Sequence, residues 1–350
     1  MSTAVLLSGG VDSSVALHLA RRDDPDIRAF YLKIWLEDEL AHIGDCPWEE
    51  DLSFARAVCE QIDVPLEVVP LQTEYLERVV THAISELKAG RTPSPDIFCN
   101  QRIKFGAFFD RVGHTFDRIA SGHYATIERG TPSDRLKRSP DLVKDQTYFL
   151  CNLRQEQIRK AAFPIGHLRK EEVRRLAAEL DLPNRYRKDS QGICFLGRIH
   201  YPDFVRFHLG ERHGDIVDTD SGTVLGNHRG YWFHTIGQRQ GLGLGGGPWY
   251  VVGKDVETNI VYVAHQDRRD PTLRRTFTVD APNWIGPEPE NQTLTVKLRH
   301  GPHLTPCTLT AAEGGYRVDL EQPDGGIAAG QWAVFYDDDT CLGGGVIDFR

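Results

Sequence analysis

The chain has no apolar run approaching the ~18–20 residues that a membrane-crossing helix needs, which argues against a helical span and against a membrane partner. Its opening residues, Met1-Ser2-Thr3-Ala4, carry no basic region, and the short apolar stretch after them stops at Gly9-Gly10, too soon for a secretory leader. A cytoplasmic address is the expectation. Paired cysteines are also missing. Cys46, Cys59, Cys99, Cys151, Cys194, Cys307 and Cys341 are odd in number, and no two form a C-x-x-C pair. Neither a secreted disulfide framework nor a zinc site is expected, and cysteine chemistry falls to individual thiols. There is no internal repeat and no low-complexity segment.

Positive charge is in deficit. Lys and Arg total 41 against 50 Asp and Glu, a net charge of −9 that argues weakly against a nucleic-acid partner. The average conceals an asymmetry: Arg154 to Lys188 holds ten Lys/Arg and five acids, whereas Glu313 to Asp339 holds seven acids and one Arg. A basic stretch of this kind is either a solvated helix face or a contact for a phosphate backbone. With 40% hydrophobic and 26% charged residues, the 350-residue chain has the composition of a globular protein of two or three domains.

The first part alternates strand-like and helix-like signals. Ala4–Leu7 is a short apolar run; after a Gly-rich turn, Val11, Val15 and Leu19 share a helix face. Ile27–Trp35, Leu66–Leu71 and Arg118–Ser121 read as strands, and Leu52, Ala55, Cys59 and Ile62, then Ile103, Ala107 and Phe108, as helices. This alternation predicts an α/β fold with a doubly wound parallel sheet, whose ligands lie beyond the C-terminal strand ends. Helical patterns continue over Gln155–Ala161 and Lys170–Leu180. From about residue 210 short β-type runs take over, among them Trp249–Val252, Ile260–Ala264, Leu294–Leu298 and Ala333–Tyr336. The expected division is a catalytic domain over 1–205, a small central domain over 206–272 and a C-terminal β-barrel over 273–350.

Ser8-Gly9-Gly10-Val11-Asp12-Ser13-Ser14 lies between the first strand and the first helix. Adjacent glycines let backbone N–H groups approach phosphate oxygens, the serines add hydroxyls, and the helix dipole points the same way. Asp12 could hold Mg²⁺ or cap the helix. The Lys-Ser/Thr of a Walker loop does not follow, and the loop resembles instead the PP-loop, S-G-G-x-D-S, of the ATP pyrophosphatase superfamily. Gly241–Gly247 looks superficially like a dinucleotide loop, but no helix start follows it, and it reads as a flexible loop.

Cys99 follows two loop prolines in Arg91-Thr92-Pro93-Ser94-Pro95-Asp96-Ile97-Phe98-Cys99-Asn100. Near a helix start, with Arg102 and Lys104 close in sequence, its thiol is expected to have a lowered pKa, and Asp96 is placed for acid or base work. The competing reading is a buried structural cysteine. Cys194, after Lys188-Asp189-Ser190-Gln191-Gly192-Ile193, has a cationic neighbour and a glycine that allows loop movement.

Taken in order, the loop Ser8–Ser14, Pro95–Asn100, Ser121-Gly122-His123-Tyr124, Lys144-Asp145-Gln146, Asp189–Phe195, His234–Arg239 and Gly330-Gln331 resemble the tRNA-specific 2-thiouridylase family over nearly the whole chain. Three small departures are Ser94 in place of Asn, Thr147 in place of Ser, and His300 in place of Tyr. The resemblance implies ATP and Mg²⁺ as cofactors, with AMP transferred to the C2 oxygen of a wobble uridine. It implies ATP contacts at Leu6, Leu7, Ser8, Gly9, Gly10, Val11, Asp12, Ser13, Leu32 and Gly122. It implies RNA contacts at Ser94, Pro95, Asp96, His123, Lys144, Asp145, Gln146, Arg299, His300 and Gln331; the lesser, competing reading of His123 is a satisfied core histidine. Cys194 would carry a persulfide from a sulfur-donor protein (a cysteine desulfurase or a sulfur relay protein). Cys99 would attack either the persulfide or the activated base, with a transient Cys99–Cys194 disulfide left behind. The implied partner is the anticodon region of tRNA, with the barrel clamping the stem and Arg154–Lys188 tracking the backbone. The competing readings are another PP-loop ligase, such as argininosuccinate or GMP synthetase, and a non-catalytic RNA-binding protein.

Overall fold

In a computed structural model of the chain, residues 1–34, 48–188, 200–290 and 292–349 are described. Five parallel strands form the first sheet: β1 (Ser2–Leu6), β2 (Asp26–Lys33), β3 (Leu66–Pro70), β4 (Arg118–Ser121) and β7 (Ala161–Ala162), in the order β3-β2-β1-β4-β7. The chain winds outward through β2 and β3, then returns to the other side of β1 to lay down β4 and β7. The order therefore reverses between β1 and β4, which opens a crevice beyond their C-terminal ends. Strand β1 is covered on both faces, as its unbroken apolar run requires. Ala4 and Leu6 join one core with Phe30, Ile103 and Phe108, while Val5 and Leu7 join the other with Leu17, Val58 and Ala120.

The strands lie within a residue or two of their sequence-read positions; helices α1 (Val11–Asp23) and α2 (Trp48–Gln61) occur where their apolar faces were read, α1 running four residues past Leu19 and α2 starting four residues before Leu52. Two longer helices, over residues 72–88 and 95–111, each contain a widened π-type stretch, at Leu76–Val80 and Cys99–Ala107. The second widening is braced from outside. The Gln157 side chain donates to the Gln101 and Phe105 carbonyls, both at 2.9 Å. At Gly106 a Cβ would come within 2.7 Å of the Gln101 carbonyl oxygen, so the widened turn requires a glycine there.

The central segment forms a four-stranded sheet of β8 (Gly214–Asp218), β9 (Val224–His228), β10 (Trp249–Asp255) and β11 (Ile260–His265), in the order β10-β11-β8-β9. The C-terminal segment closes a six-stranded barrel: β12 (Arg274–Trp284), β15 (Gly315–Asp324), β14 (Thr305–Ala312), β13 (Thr293–Lys297), β16 (Trp332–Asp337) and β17 (Thr340–Asp348), with β17 pairing back to β12. The barrel sheet also contains a hairpin of the first domain. Strand β5 (Ala125–Glu128) pairs with β6 (Arg135–Arg138), and β6 pairs with β17 through Thr340↔Lys137 and Cys341↔Leu136. Among the described residues no helix is long and apolar enough to cross a membrane.

Candidate active site

The glycine loop leaves the C-terminal end of β1 and becomes the first turn of α1, whose leading N–H groups have no intrahelical acceptors. Ser13 organises it. Its hydroxyl accepts from the Ser8 N–H at 3.2 Å, meets the Ser8 hydroxyl at 3.1 Å and donates to the Gly10 carbonyl at 3.0 Å. Gly9 has φ +76°, and a Cβ there would sit 2.2 Å from the Asp51 carbonyl oxygen. Gly122, at the end of β4, packs against the loop from the far side, where a Cβ would be 2.7 Å from the Ser13 nitrogen. The two motifs thus meet across the switch point. Asn184 and Arg187 secure the loop from a third element by donating to the Gly9 carbonyl at 2.8 and 3.2 Å. Leu6 and Leu7 are buried in the two cores, and Leu32 sits half-buried on β2.

Asp12 does not cap α1; the cap is Gly10, and Asp12 lies in the first turn. Its carboxylate accepts from Lys170 Nζ at 2.8 and 3.0 Å and from the Tyr124 hydroxyl at 2.9 Å.

Cys99 is buried, with 1% of its surface exposed. Burial pushes its thiol up to about 11, and the opposing pull of Lys104 is smaller. The lowered pKa expected from sequence is therefore corrected: desolvation outweighs the neighbouring charge. Arg102 does not assist, because its guanidinium stacks 4.0 Å over Phe98 and donates to the Arg78 carbonyl. The Lys104 charge acts on both Cys99 and His123, lowering each less than burial shifts it. His123 is itself buried. Its Nδ1 lies 2.7 Å from the Ser121 hydroxyl, and desolvation holds the ring well below its usual range, so it is a neutral, partnered core histidine.

Most of the remaining sequence-read residues gather around Cys99. Asn100 donates to the Phe149 carbonyl at 3.0 Å, and Phe149 stacks on His300 with centroids 4.7 Å apart. Thr92 N–H donates to the Ala329 carbonyl at 2.8 Å, which lays Gly330-Gln331 beside the segment carrying Ser94, Pro95 and Asp96. Trp332 packs edge-on against Phe98 at 5.8 Å. The Tyr148 hydroxyl donates to the Trp332 carbonyl at 3.2 Å and also meets the Ser94 side chain.

Two expectations are altered. Asp145 has a fully buried carboxylate, bound by Lys297 Nζ at 2.6 Å, Arg138 at 3.2 Å and the Thr147 hydroxyl at 2.9 Å. Its side chain is a structural anchor between hairpin and barrel and presents nothing to an RNA; Lys144 and Gln146 flank it at half-buried positions. Arg299 is over half exposed and paired with Asp324. The basic stretch Arg154–Lys188 is also partly consumed internally. Lys160, Lys170, Arg174, Arg185 and Arg187 bind protein oxygens, leaving Arg154, Arg159, Arg169, Arg175 and Lys188 exposed. Cys194 and its segment from Asp189 lie outside the described residues. Lys170, Asn184 and Arg187 escaped the sequence reading: each reaches the loop from more than 150 positions away, with no local signal.

A doubly wound parallel sheet with a glycine loop at its switch point is the architecture of the nucleotide-binding class of α/β proteins. Family models match the chain in three consecutive pieces: a tRNA methyl transferase HUP domain over 1–198, a tRNA methyl transferase PRC-barrel domain over 202–265 and an aminomethyltransferase β-barrel domain over 274–347. The tRNA-specific 2-thiouridylase MnmA of Porphyromonas gingivalis is 46% identical over 358 residues, covering 99% of each chain. Relatives of the same name from Parabacteroides distasonis (45%) and Bacteroides thetaiotaomicron (46%) also cover 99% of each chain. The chain belongs to the tRNA-specific 2-thiouridylase family.

Proposed function

We propose that this chain, as a tRNA-uridine thiolation enzyme, uses ATP to activate the C2 oxygen of the wobble uridine and then replaces it with sulfur carried by its own cysteines. The supporting observation is the meeting of Gly122 with Ser13 at the switch point, which brings the Ser121–Tyr124 motif against the glycine loop.

The C2 oxygen is a poor leaving group. Its attack on the α-phosphorus of ATP forms an AMP ester and expels pyrophosphate. The first-turn N–H groups of α1 and the Ser8 and Ser13 hydroxyls are the donors that stabilise the phosphate charge. Among the described residues no group of three or more His, Cys, Asp or Glu could hold a metal ion. Asp12 would be the protein ligand for Mg²⁺ brought with ATP, and the chemistry the ion would supply there is charge neutralisation.

Sulfur arrives on Cys194 as a persulfide from a donor protein. Cys99 attacks Cys194 Sγ, the terminal sulfur leaves with its electron pair and adds to C2, and AMP departs. The Cys99–Cys194 disulfide that remains is reduced by an external dithiol, which is itself oxidised to a disulfide. Asp96 is the acid or base on the activated base. Lys144, Gln146, Arg299, His300 and Gln331 are the proposed RNA-facing set. An anticodon base is accessible because it can leave its stack.

The test is nucleoside mass spectrometry of tRNA after incubation with enzyme, ATP and a cysteine desulfurase with its cysteine substrate as the persulfide source, with AMP and pyrophosphate measured in parallel. Stoichiometric 2-thiouridine and AMP are expected. Thiolation that persists without ATP, or at the wild-type level in Cys99→Ser, would overturn the reading.

A further inference from the structure

The charged pair in the glycine loop is tied to a distant part of the surface by two routes. The first runs through Tyr124, whose side chain is buried at 1% exposure and whose hydroxyl donates to Asp12 Oδ1 at 2.9 Å. Tyr124 is also clamped to Gln146: its N–H donates to Gln146 Oε1 at 2.9 Å, and its carbonyl accepts from the Gln146 N–H at 2.9 Å. The second route runs through Asp141. Its Oδ2 accepts from the backbone N–H of Lys170 at 3.0 Å, at the first residue of the helix Lys170–Glu179. The other oxygen, Oδ1, accepts from the Val143 and Lys144 N–H groups at 3.2 and 3.1 Å. The Asp141 carbonyl also receives the Lys144 and Asp145 N–H groups at 3.1 and 2.8 Å.

The turn 141–146 is therefore anchored at one end to the backbone that carries Lys170 and at the other to the residue that holds Asp12. Lys170 and Asp12 are themselves joined at 2.8 Å, with side chains 14% and 31% exposed. Lys170 Nζ lies 5.9 Å from the Tyr124 ring centroid, so the three side chains form one cluster. In the middle of the turn, Leu142 and Val143 are 50% and 64% exposed. One end of this short, surface-facing turn is bonded to the Lys170 backbone N–H and the other to Tyr124, whose hydroxyl holds Asp12, so a displacement of the turn is passed to both members of the charged pair.

We propose that Tyr124 and Asp141 are positioning residues that couple RNA contact at the 141–146 turn to the Asp12–Lys170 pair of the nucleotide loop. In this arrangement tRNA engagement adjusts where the carboxylate and the ammonium stand relative to the ATP phosphates. ATP is then activated efficiently only when the substrate oxygen is present. The inference rests on the proposed function for the roles of ATP and of Lys144 and Gln146, and adds to it the wiring between them.

The experiment measures AMP formation by the full-length enzyme at saturating ATP, with and without tRNA, in the wild type, Tyr124→Phe, Asp141→Ala and Asp141→Asn. Tyr124→Phe removes one hydroxyl and keeps the buried ring. Asp141→Ala removes both acceptors, whereas Asp141→Asn keeps one. The wild type is expected to show at least tenfold stimulation of AMP formation by tRNA. In Tyr124→Phe and Asp141→Ala the stimulated kcat should fall at least tenfold, with KM for tRNA changed less than threefold and far-ultraviolet circular dichroism unchanged. Asp141→Asn should recover part of the loss. That split and partial rescue separate coupling from simple misfolding. If the wild type formed no AMP with tRNA present, the proposed function itself would fail. If the wild type formed AMP and both Tyr124→Phe and Asp141→Ala kept its full stimulation, the coupling alone would fail.

Discussion

At the scale of single residues, burial overrides sequence neighbourhood. Cys99 stands among cations in the sequence, yet its position inside the 95–111 helix raises its thiol to about 11. Its alkylation by iodoacetamide in the free enzyme should climb about tenfold per pH unit from pH 7 to 10 without levelling. A plateau near pH 8 would contradict the buried environment. His234 is shifted the other way, held at about 4 chiefly by desolvation, with His228 and Lys254 adding to the effect. Its native state is neutral and its unfolded value is about 6.5. As pH falls from about 6.5 to about 4, the unfolded chain gains the proton first. The contribution of about 3 kcal/mol present above pH 6.5 is lost across that window. Urea unfolding at pH 7, 5.5 and 4 should show it, with a shallower fall in His234→Leu. The buried Lys297–Asp145 pair gives a sharper test. Lys297→Met strands a buried carboxylate beside Arg138 and should cost about 3–5 kcal/mol in the same assay. A variant as stable as the wild type would show that Asp145 is not anchored there.

At the scale of elements, the sequence was readable wherever a local pattern carried the signal. Strands β1 to β4 are apolar runs bounded by turns, and the glycine loop announces itself by its place between a strand and a helix. The β5–β6 hairpin was not legible. Ala-Thr-Ile-Glu and Arg-Leu-Lys-Arg lack an apolar face of their own, and β6 gains its partner only from β17, two hundred positions on. The widening at Cys99–Ala107 was equally silent, since its residues also suit an ordinary helix; Gly106 was its one clue. Gly106→Ala puts a methyl against the Gln101 carbonyl and should narrow the turn or shift that carbonyl off Gln157. Thiolation should then fall by at least tenfold while ATP affinity holds. Unaltered thiolation would show that the widened turn is dispensable to Cys99.

At the scale of the whole molecule, the barrel is built into the structure of the first domain. It supplies Lys297 to Asp145, the Trp332 carbonyl to Tyr148, the Ala329 carbonyl to Thr92 and a neighbouring strand to β6. A chain stopped after Thr272 should form no AMP and should aggregate, because Leu136, Tyr148 and the edge of β6 would be uncovered. A truncated chain that still turned over ATP would show that the first domain stands without the barrel.

The β6–β17 pairing also bears on how the protein is made. Lys137 bonds to Asp339, 202 positions further along the chain. At about 5–20 residues per second on the ribosome, the hairpin emerges about 10–40 seconds before its neighbour strand exists. Throughout that interval the nascent enzyme displays an open strand edge. Codon usage that lengthens the pause, or loss of a holding chaperone, should therefore lower the yield of soluble product more than the stability of the finished fold would suggest.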